Sequence, residues 1–349
     1  MPRAIAFAQQ AISEGQDVLG ASSLQHDPAR EHYPQWATLP FVTDDDFHEA
    51  LDRLVHAEGI TSVFTPNPVV WTHLKSALPE RNSALRLLNE SPVEREMAPY
   101  RAGLAFARSV LEAPLALAEP AVAAPPMGTR ELVALFRHAE SLPGMCDHEK
   151  IRALCEVFRR APAGDIVEIG SWWGKSAFIL DALSRTSRPG PLLCVDPWSA
   201  GNLVQRDEKG LVDSTSVSTD EAFEVFLANL GPYANGSVNY LRMPADDAAP
   251  GYLPGLQVDS STFGKTTYCG GIAVLHIDGN HSYENAKSDV LLWTPKLVSG
   301  GWLVLDDYIW PYGDGPKRAG DEFLSEHAGR FDCVFVMGSA LFARMAAGR

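Results

Sequence analysis

Residues Ile166 to Ser176 read I-V-E-I-G-S-W-W-G-K-S, a short apolar run that closes on an acid, Glu168, and passes through Gly170 and Gly174 into a helical stretch. Glycines at a strand end let the backbone pass close to a ligand, and the helix that follows turns its N–H groups toward it. A dinucleotide-binding turn needs G-x-G-x-x-G, whereas this loop offers G-x-x-x-G after a Glu, so NAD is the poorer guess. Working outward, four more apolar runs follow, each after a helical or polar stretch: LLCVD (Leu192 to Asp196), VNYLR (Val238 to Arg242), IAVLHID (Ile272 to Asp278) and WLVLDD (Trp302 to Asp307). Strands apolar on both faces and separated by helices predict a parallel sheet covered on both sides. FDCVFVMGSALFAR then reads as two strands joined at Gly338-Ser339, a pair suited to a tight hairpin.

Ahead of this block, Glu112 to Gly128 reads EAPLALAEPAVAAPPMG, where Ala and Pro erase any periodicity and predict a linker. The chain is therefore cut near Pro125, into an auxiliary α/β domain with its linker (1–125) and a larger domain (126–349). In the first part, Asp17 to Ser22 and Ser62 to Phe64 read as strands. A helix over about 45–58 places Phe47, Leu51, Leu54 and Val55 on one face. The run GASSLQHDPAR with the later GITSVFTPNP resembles the lead-in domain of ATP-grasp proteins, although no ATP-grasp body follows. In the second part, helices are expected at about 129–141 and 147–160, and one after Ser282 that closes at Gly300-Gly301.

The chain has 349 residues, 46% of them hydrophobic, enough for roughly two domains with buried cores. Its 29 Lys and Arg face 44 Asp and Glu, a formal charge of −15 that argues against a broad nucleic-acid surface. No secretion signal or membrane-length apolar run is read, so a cytoplasmic protein with no membrane partner is expected. Cys146, Cys155, Cys194, Cys269 and Cys333 are odd in number and scattered, which predicts buried reduced thiols rather than disulfides or zinc ligands.

Acids recur where the strands end. Asp196 closes the second, placed for a carboxylate to accept from both ribose hydroxyls of an adenosine ligand, and Asp246 or Asp247, just past the third, is in reach of an adenine amino group. Asp278 ends the fourth, with His281 three residues on, and Asp306-Asp307 end the fifth. Three carboxylates crowded together raise one another's pKa unless a cation neutralises them. All-oxygen ligation favours a hard ion, Mg²⁺ first, with Mn²⁺ or Ca²⁺ after it.

The first loop resembles the S-adenosylmethionine motif E-x-G-x-x-x-G-x-S, which implies cofactor contacts from Glu168, Gly170, Ser171, Trp172, Gly174 and Ser176, with Asp196 and Asp246 beyond it. From about residue 147 onward, E-I-G-S-W-W-G-K-S, V-D-P-W, H-I-D-G-N-H-S-Y and V-L-D-D-Y resemble the metal-dependent sugar O-methyltransferases of antibiotic biosynthesis, the family of the macrocin, mycinamicin and novobiocin enzymes. The resemblance implies a class I methyltransferase sheet, Mg²⁺ held by Asp278, Asp306 and Asp307, and His281 as the base, as in the mycinamicin type. The Asp-Asp pair stands where some relatives have Glu-Asp. It also implies a glycoside acceptor and a homo-oligomer, with the N-terminal part serving assembly or acceptor binding.

The chemistry expected is in-line methyl transfer to a metal-bound hydroxyl, with a vicinal diol favoured and activity falling below about pH 6.5, the ordinary imidazole range. Trp172, Trp173, Trp198, Tyr308, Trp310 and Tyr312 are candidates to pack on the acceptor, Trp310 and Tyr312 foremost. Lys175 is a candidate for the cofactor's carboxylate, and 199–220 for a mobile lid. The rival readings are a catechol O-methyltransferase, an NAD-dependent dehydrogenase and a non-catalytic binding module on the same sheet.

Overall fold

The strand runs pair as their composition demands. In the computed structural model, which describes residues 2–81, 85–117, 123–203 and 218–346, β5 (Asp165–Ile169), β6 (Leu192–Val195) and β10 (Ile272–Ile277) are buried at every position. Alternate residues serve opposite cores: Ile166, Leu192 and Cys194 face one cluster, and Val167, Leu193 and Val195 the other. With β7 (Val238–Leu241), β11 (Leu297–Leu305), β12 (Phe331–Met337) and β13 (Ala340–Met345) they form a seven-stranded sheet in the order β12-β13-β11-β10-β5-β6-β7. The pairs from β11 through to β7 are parallel; β13 is antiparallel to both β11 and β12.

Helices cover both faces, as expected for a Rossmann-like α/β sheet. One core is completed by α5 (Thr129–Ser141), α6 (His148–Arg160), α7 (Lys175–Ser187) and α9 (Thr219–Leu230). The other draws on α10 (Ala245–Ala248), α11 (Tyr283–Trp293) and α12 (Gly315–Glu326). A short helix, α8 (Ala200–Leu203), follows β6. Strand order reverses between β5 and β10, and the crevice at that switch point is where such sheets bind ligands.

Two expectations shift and one strand pair went unread. Pro295 stops the helix that begins at Tyr283 after Trp293, so Gly300 and Gly301 lie within β11, at a break in its register with β10, and do not close the helix. An antiparallel pair, β8 (Gln257–Ser260) with β9 (Gly264–Thr267), was not legible as strands; Asn239 Nδ2 tethers it by donating to the carbonyls of Val258 and Gly264 at 3.0 and 2.7 Å. Cys146, Cys155 and Cys194 are buried free thiols, but Cys269 is exposed and Cys333 half-buried.

The chain divides into two compact units, 1–101 and 102–349, rather than at Pro125. The boundary falls inside α4 (Pro92–Glu112), whose Phe106, Ala107 and Val110 are buried in the second unit's core, with Phe106 stacked on Phe136 at 4.9 Å. Apolar burial, not the loss of periodicity further on, sets the edge. The first unit contains α1 (Pro2–Ser13), parallel β1 (Leu19–Ser22) and β2 (Gln35–Thr38), α2 (Phe47–Glu58), α3 (Pro68–Arg81), and parallel β3 (Ser62–Val63) and β4 (Arg86–Leu87). Phe47, Leu51 and Val55 of α2 pack with Leu74, Leu78 and Leu85. No helix among the described residues is long and apolar enough to cross a membrane.

Candidate active site

The carboxyl ends of β5, β6, β10 and β11 open onto a cavity of about 860 Å³ in the second unit. On its β5–β6 side the loop after β5 is fixed by its own acids. Asp196 Oδ2 accepts from the backbone amides of Ser171 and Trp172, both at 2.9 Å, and Oδ1 accepts from the amide of Trp198 at 2.7 Å. Burial raises the Asp196 carboxyl above its ordinary pKa, against the pull of these amides. A carboxylate oxygen has two lone pairs, so Oδ1 retains one for an incoming hydroxyl, fewer than the two-hydroxyl grip expected. Trp172 and Trp198 sit at positive φ, 44° and 41°, where side chains other than Gly are rare.

Gly170 and Gly174 both line the cavity at φ 80° and 84°. A Cβ on Gly170 would collide with the carbonyl of Asp278, so this glycine is what lets the β5 and β10 loops touch. Ser171, Trp172 and Ser176 also line the space, but Glu168 does not. Glu168 is fully buried, accepts from Ser171 Oγ at 2.6 Å and lies 3.2 Å from His276 Nδ1, so its place is beneath the loop rather than against a ligand. Lys175 lines the cavity and pairs with Glu140 at 3.3 Å. Asp246 is exposed at the rim, facing Asp289 of α11, whose carboxyl is pushed up to about 7 by burial and by the Asp246 charge.

The opposite wall holds the acids of β10 and β11. Asp278, Asp306 and Asp307 all border the cavity but do not form one cluster among the described residues. Asp278, His281 and Asp307 have ligand atoms within 4.8 Å of one another, and Asp278 and Asp306 form a second group with His276. Asp307 stands at φ 50°, a left-handed backbone that parts two adjacent side chains into these groups. His281 Nε2 lies 2.7 Å from Asp307 Oδ2, and its ring meets Trp310 edge-on at 4.4 Å.

Asp306 already has its partners. Lys150, from the first turn of α6 and 1% exposed, gives its ammonium to Asp306 Oδ2 and lies 4.0 Å from Asp278. Ser339 Oγ and the amide of Asp307 lie 2.8 and 3.0 Å from Asp306 Oδ1. Burial alone would raise the Asp306 carboxyl; the charges of Lys150 and His276 together with hydrogen bonds from Lys150 and Ser339 outweigh it and hold the group below its ordinary range. Burial and the neighbouring Asp306 charge push Asp278 well up.

Neither Lys150 nor His276 emerged from motif reading. Lys150 has a signal in hindsight, a charge on the stripe Lys150, Leu154, Val157 that is otherwise apolar and buried. His276 is hidden inside an apolar strand. Of the aromatic candidates, Trp172, Trp173, Trp310 and Tyr312 line the cavity, Trp198 borders it while its ring packs against Phe223 and Phe226, and Tyr308 turns its hydroxyl to Asp321 at 2.5 Å. Most of the expected lid, 204–217, lies outside the described residues.

The sheet order is the one expected of a class I methyltransferase sheet, and the crevice lies at its switch point. Residues 167–308 match the methyltransferase-domain family, and that stretch holds the Gly170 loop, Asp196, Asp246, Asp278, His281, Asp306 and Asp307. Among curated protein sequences none matches the chain. Among solved structures it is similar to the O-methyltransferase NovP, at 19% identity over 53% of this chain and 73% of that one, TM-score 0.38. The calicheamicin methyltransferase CalS11 is 18% identical over 74% of this chain and 94% of that one, TM-score 0.40. MycE from the mycinamycin pathway, in complex with Mg and SAH, is 14% identical over 53% and 45%, TM-score 0.31.

Proposed function

We propose that the protein is an S-adenosylmethionine-dependent O-methyltransferase whose acceptor is a sugar hydroxyl of a glycosylated natural product, assisted by Mg²⁺. One observation carries the reading: a single cavity has the glycine loop and Asp196 on one wall and Asp278, His281 and Asp307 on the other. The donor set suits Mg²⁺, which keeps waters and takes one or two carboxylates. With Asp278 ionised, three carboxylates against the one Lys150 ammonium would leave two negative charges, the amount a dication cancels. Asp278 and Asp307 would hold it. When bound, the ion supplies a Lewis acid that makes a hydroxyl proton more acidic.

The chain's own groups do the rest. Asp196 and Asp246 would hold the nucleoside end of the methyl donor, across the cavity from the wall that would take the acceptor. His281 receives the hydroxyl proton, and Asp307, bonded to its Nε2, fixes the ring's orientation and stabilises the charged imidazolium. Trp310 and Tyr312 offer apolar faces beside His281 for the ring that carries the hydroxyl. The sugar, rather than a catechol, follows from the resemblance of the four motifs to the antibiotic sugar enzymes.

The test is calorimetry with S-adenosylmethionine, followed by mass spectrometry of methylated products from glycosides with a free vicinal diol and from catechols. Binding, with transfer to a glycoside only, is expected. Transfer to catechols alone would move the acceptor class, and absence of cofactor binding would end the reading. His281→Ala is expected to lower kcat by about 10²- to 10⁴-fold with cofactor affinity intact; unchanged kcat would remove His281 as base.

A further inference from the structure

One deeply buried charge in the second unit that methyl transfer does not use is the ammonium of Lys150, 1% exposed. Its burial has a structural cause. Asp147 caps α6 by accepting from the Lys150 amide at 2.8 Å, and the same carboxylate accepts from the amide of Ser339 in the β12–β13 turn at 3.1 Å. Ser339 Oγ in turn reaches Asp306. The start of α6, the end of β11 and the hairpin turn are thus joined through Asp147, Ser339, Asp306 and Lys150. An uncompensated ammonium at this depth would be strongly unfavourable, and a lysine in this position persists because a fixed anion faces it.

We propose that Lys150 is a resident cation of the acidic cluster: it occupies Asp306, keeps that carboxylate out of a dication's coordination shell, and confines the ion to Asp278 and Asp307. Lys150 is then a positioning residue, and the adjacent acids 306 and 307 have divided labour, one structural and one metal-binding. The left-handed backbone at Asp307 and the separate grouping of the two carboxylates fit that division. The part that concerns the ion rests on the function proposed above; the Lys150–Asp306 pairing does not.

Two measurements on the full chain separate them. With EDTA present, thermal unfolding of Lys150→Met, Asp306→Asn and the double variant forms a cycle. Each single change is expected to lower Tm by about 6 °C or more, and the double by less than their sum, because each single change strands a buried partner. Additive losses would overturn the pairing, whatever the metal does. Mn²⁺ titration followed by electron paramagnetic resonance reads the second part, with no turnover required. Asp307→Asn is expected to weaken Mn²⁺ binding about tenfold or more and Asp306→Asn less than about fivefold, while Lys150→Met tightens it by freeing a third carboxylate.

A loss in Asp306→Asn as large as in Asp307→Asn would overturn the confinement of the ion. If the wild-type chain binds no Mn²⁺, the dication reading and its confinement fall together. In that case the unfolding cycle still decides whether Lys150 is the cluster's own counter-charge.

Discussion

Asp289 shows how a single side chain registers its surroundings. It is 9% exposed on α11, faces another acid and borders the cavity, so its carboxyl is pushed up to about 7. A carboxyl whose pKa is raised by folding binds its proton more tightly in the folded chain than in the unfolded one. Between the ordinary carboxyl range near 4 and about 7 the folded state therefore carries more protons, and stability falls as pH rises through that window, levelling off above it. The shift sets an upper bound of about 4 kcal/mol. Urea unfolding of the ligand-free protein from pH 5 to 8 is expected to show this decline and Asp289→Asn to flatten it; equal slopes would mean that Asp289 is not buried as a neutral acid. Nothing in the sequence marked Asp289, because an acid on a helix gives no sign of which wall it meets. Asp278, His281 and Asp307 were legible, since strand ends fix their place. The engagement of Asp306 was not, because Lys150 lies 156 residues away in the chain.

At the scale of elements, the strands of the large sheet were readable as continuous apolar runs, and the helix ahead of β5 was placed at about 147–160, where α6 lies. What escaped were features made by long-range polar contacts. Asp165, at the start of β5, accepts from Tyr252 Oη at 2.6 Å and from the amides of Cys269 and Gly270 at 3.0 and 2.9 Å. It ties the segment that contains β8 and β9 to the central strand, a task the pattern D-I-V-E-I does not reveal. Asp165→Ala strands these donors in a buried place and is expected to cost about 3 kcal/mol of unfolding free energy. Denaturant titration checks this, and a loss below about 1 kcal/mol would mean that the segment is held by its apolar contacts alone.

For the molecule as a whole, the linker signal and the true edge of the second unit differ. The Ala- and Pro-rich stretch marks where periodicity ends, yet Phe106, Ala107 and Val110 ahead of it belong to the core of the second unit. A fragment of residues 102–349 is accordingly expected to unfold cooperatively. One of 126–349 is expected to melt at a temperature lower by at least about 6 °C, since a buried Phe and its neighbours are gone. Equal melting temperatures by calorimetry would show that the end of α4 adds nothing. Composition foresaw two bodies; only packing shows which of them owns the residues between.

The cage of amides around Asp196 has a consequence for how a ligand arrives. Because Ser171, Trp172 and Trp198 are tied to this carboxylate, the wall proposed to take the nucleoside is held in place by the protein's own hydrogen bonds. On the function proposed above, a cofactor entering there would meet a wall already fixed, and little of its binding free energy would be offset by loss of loop entropy.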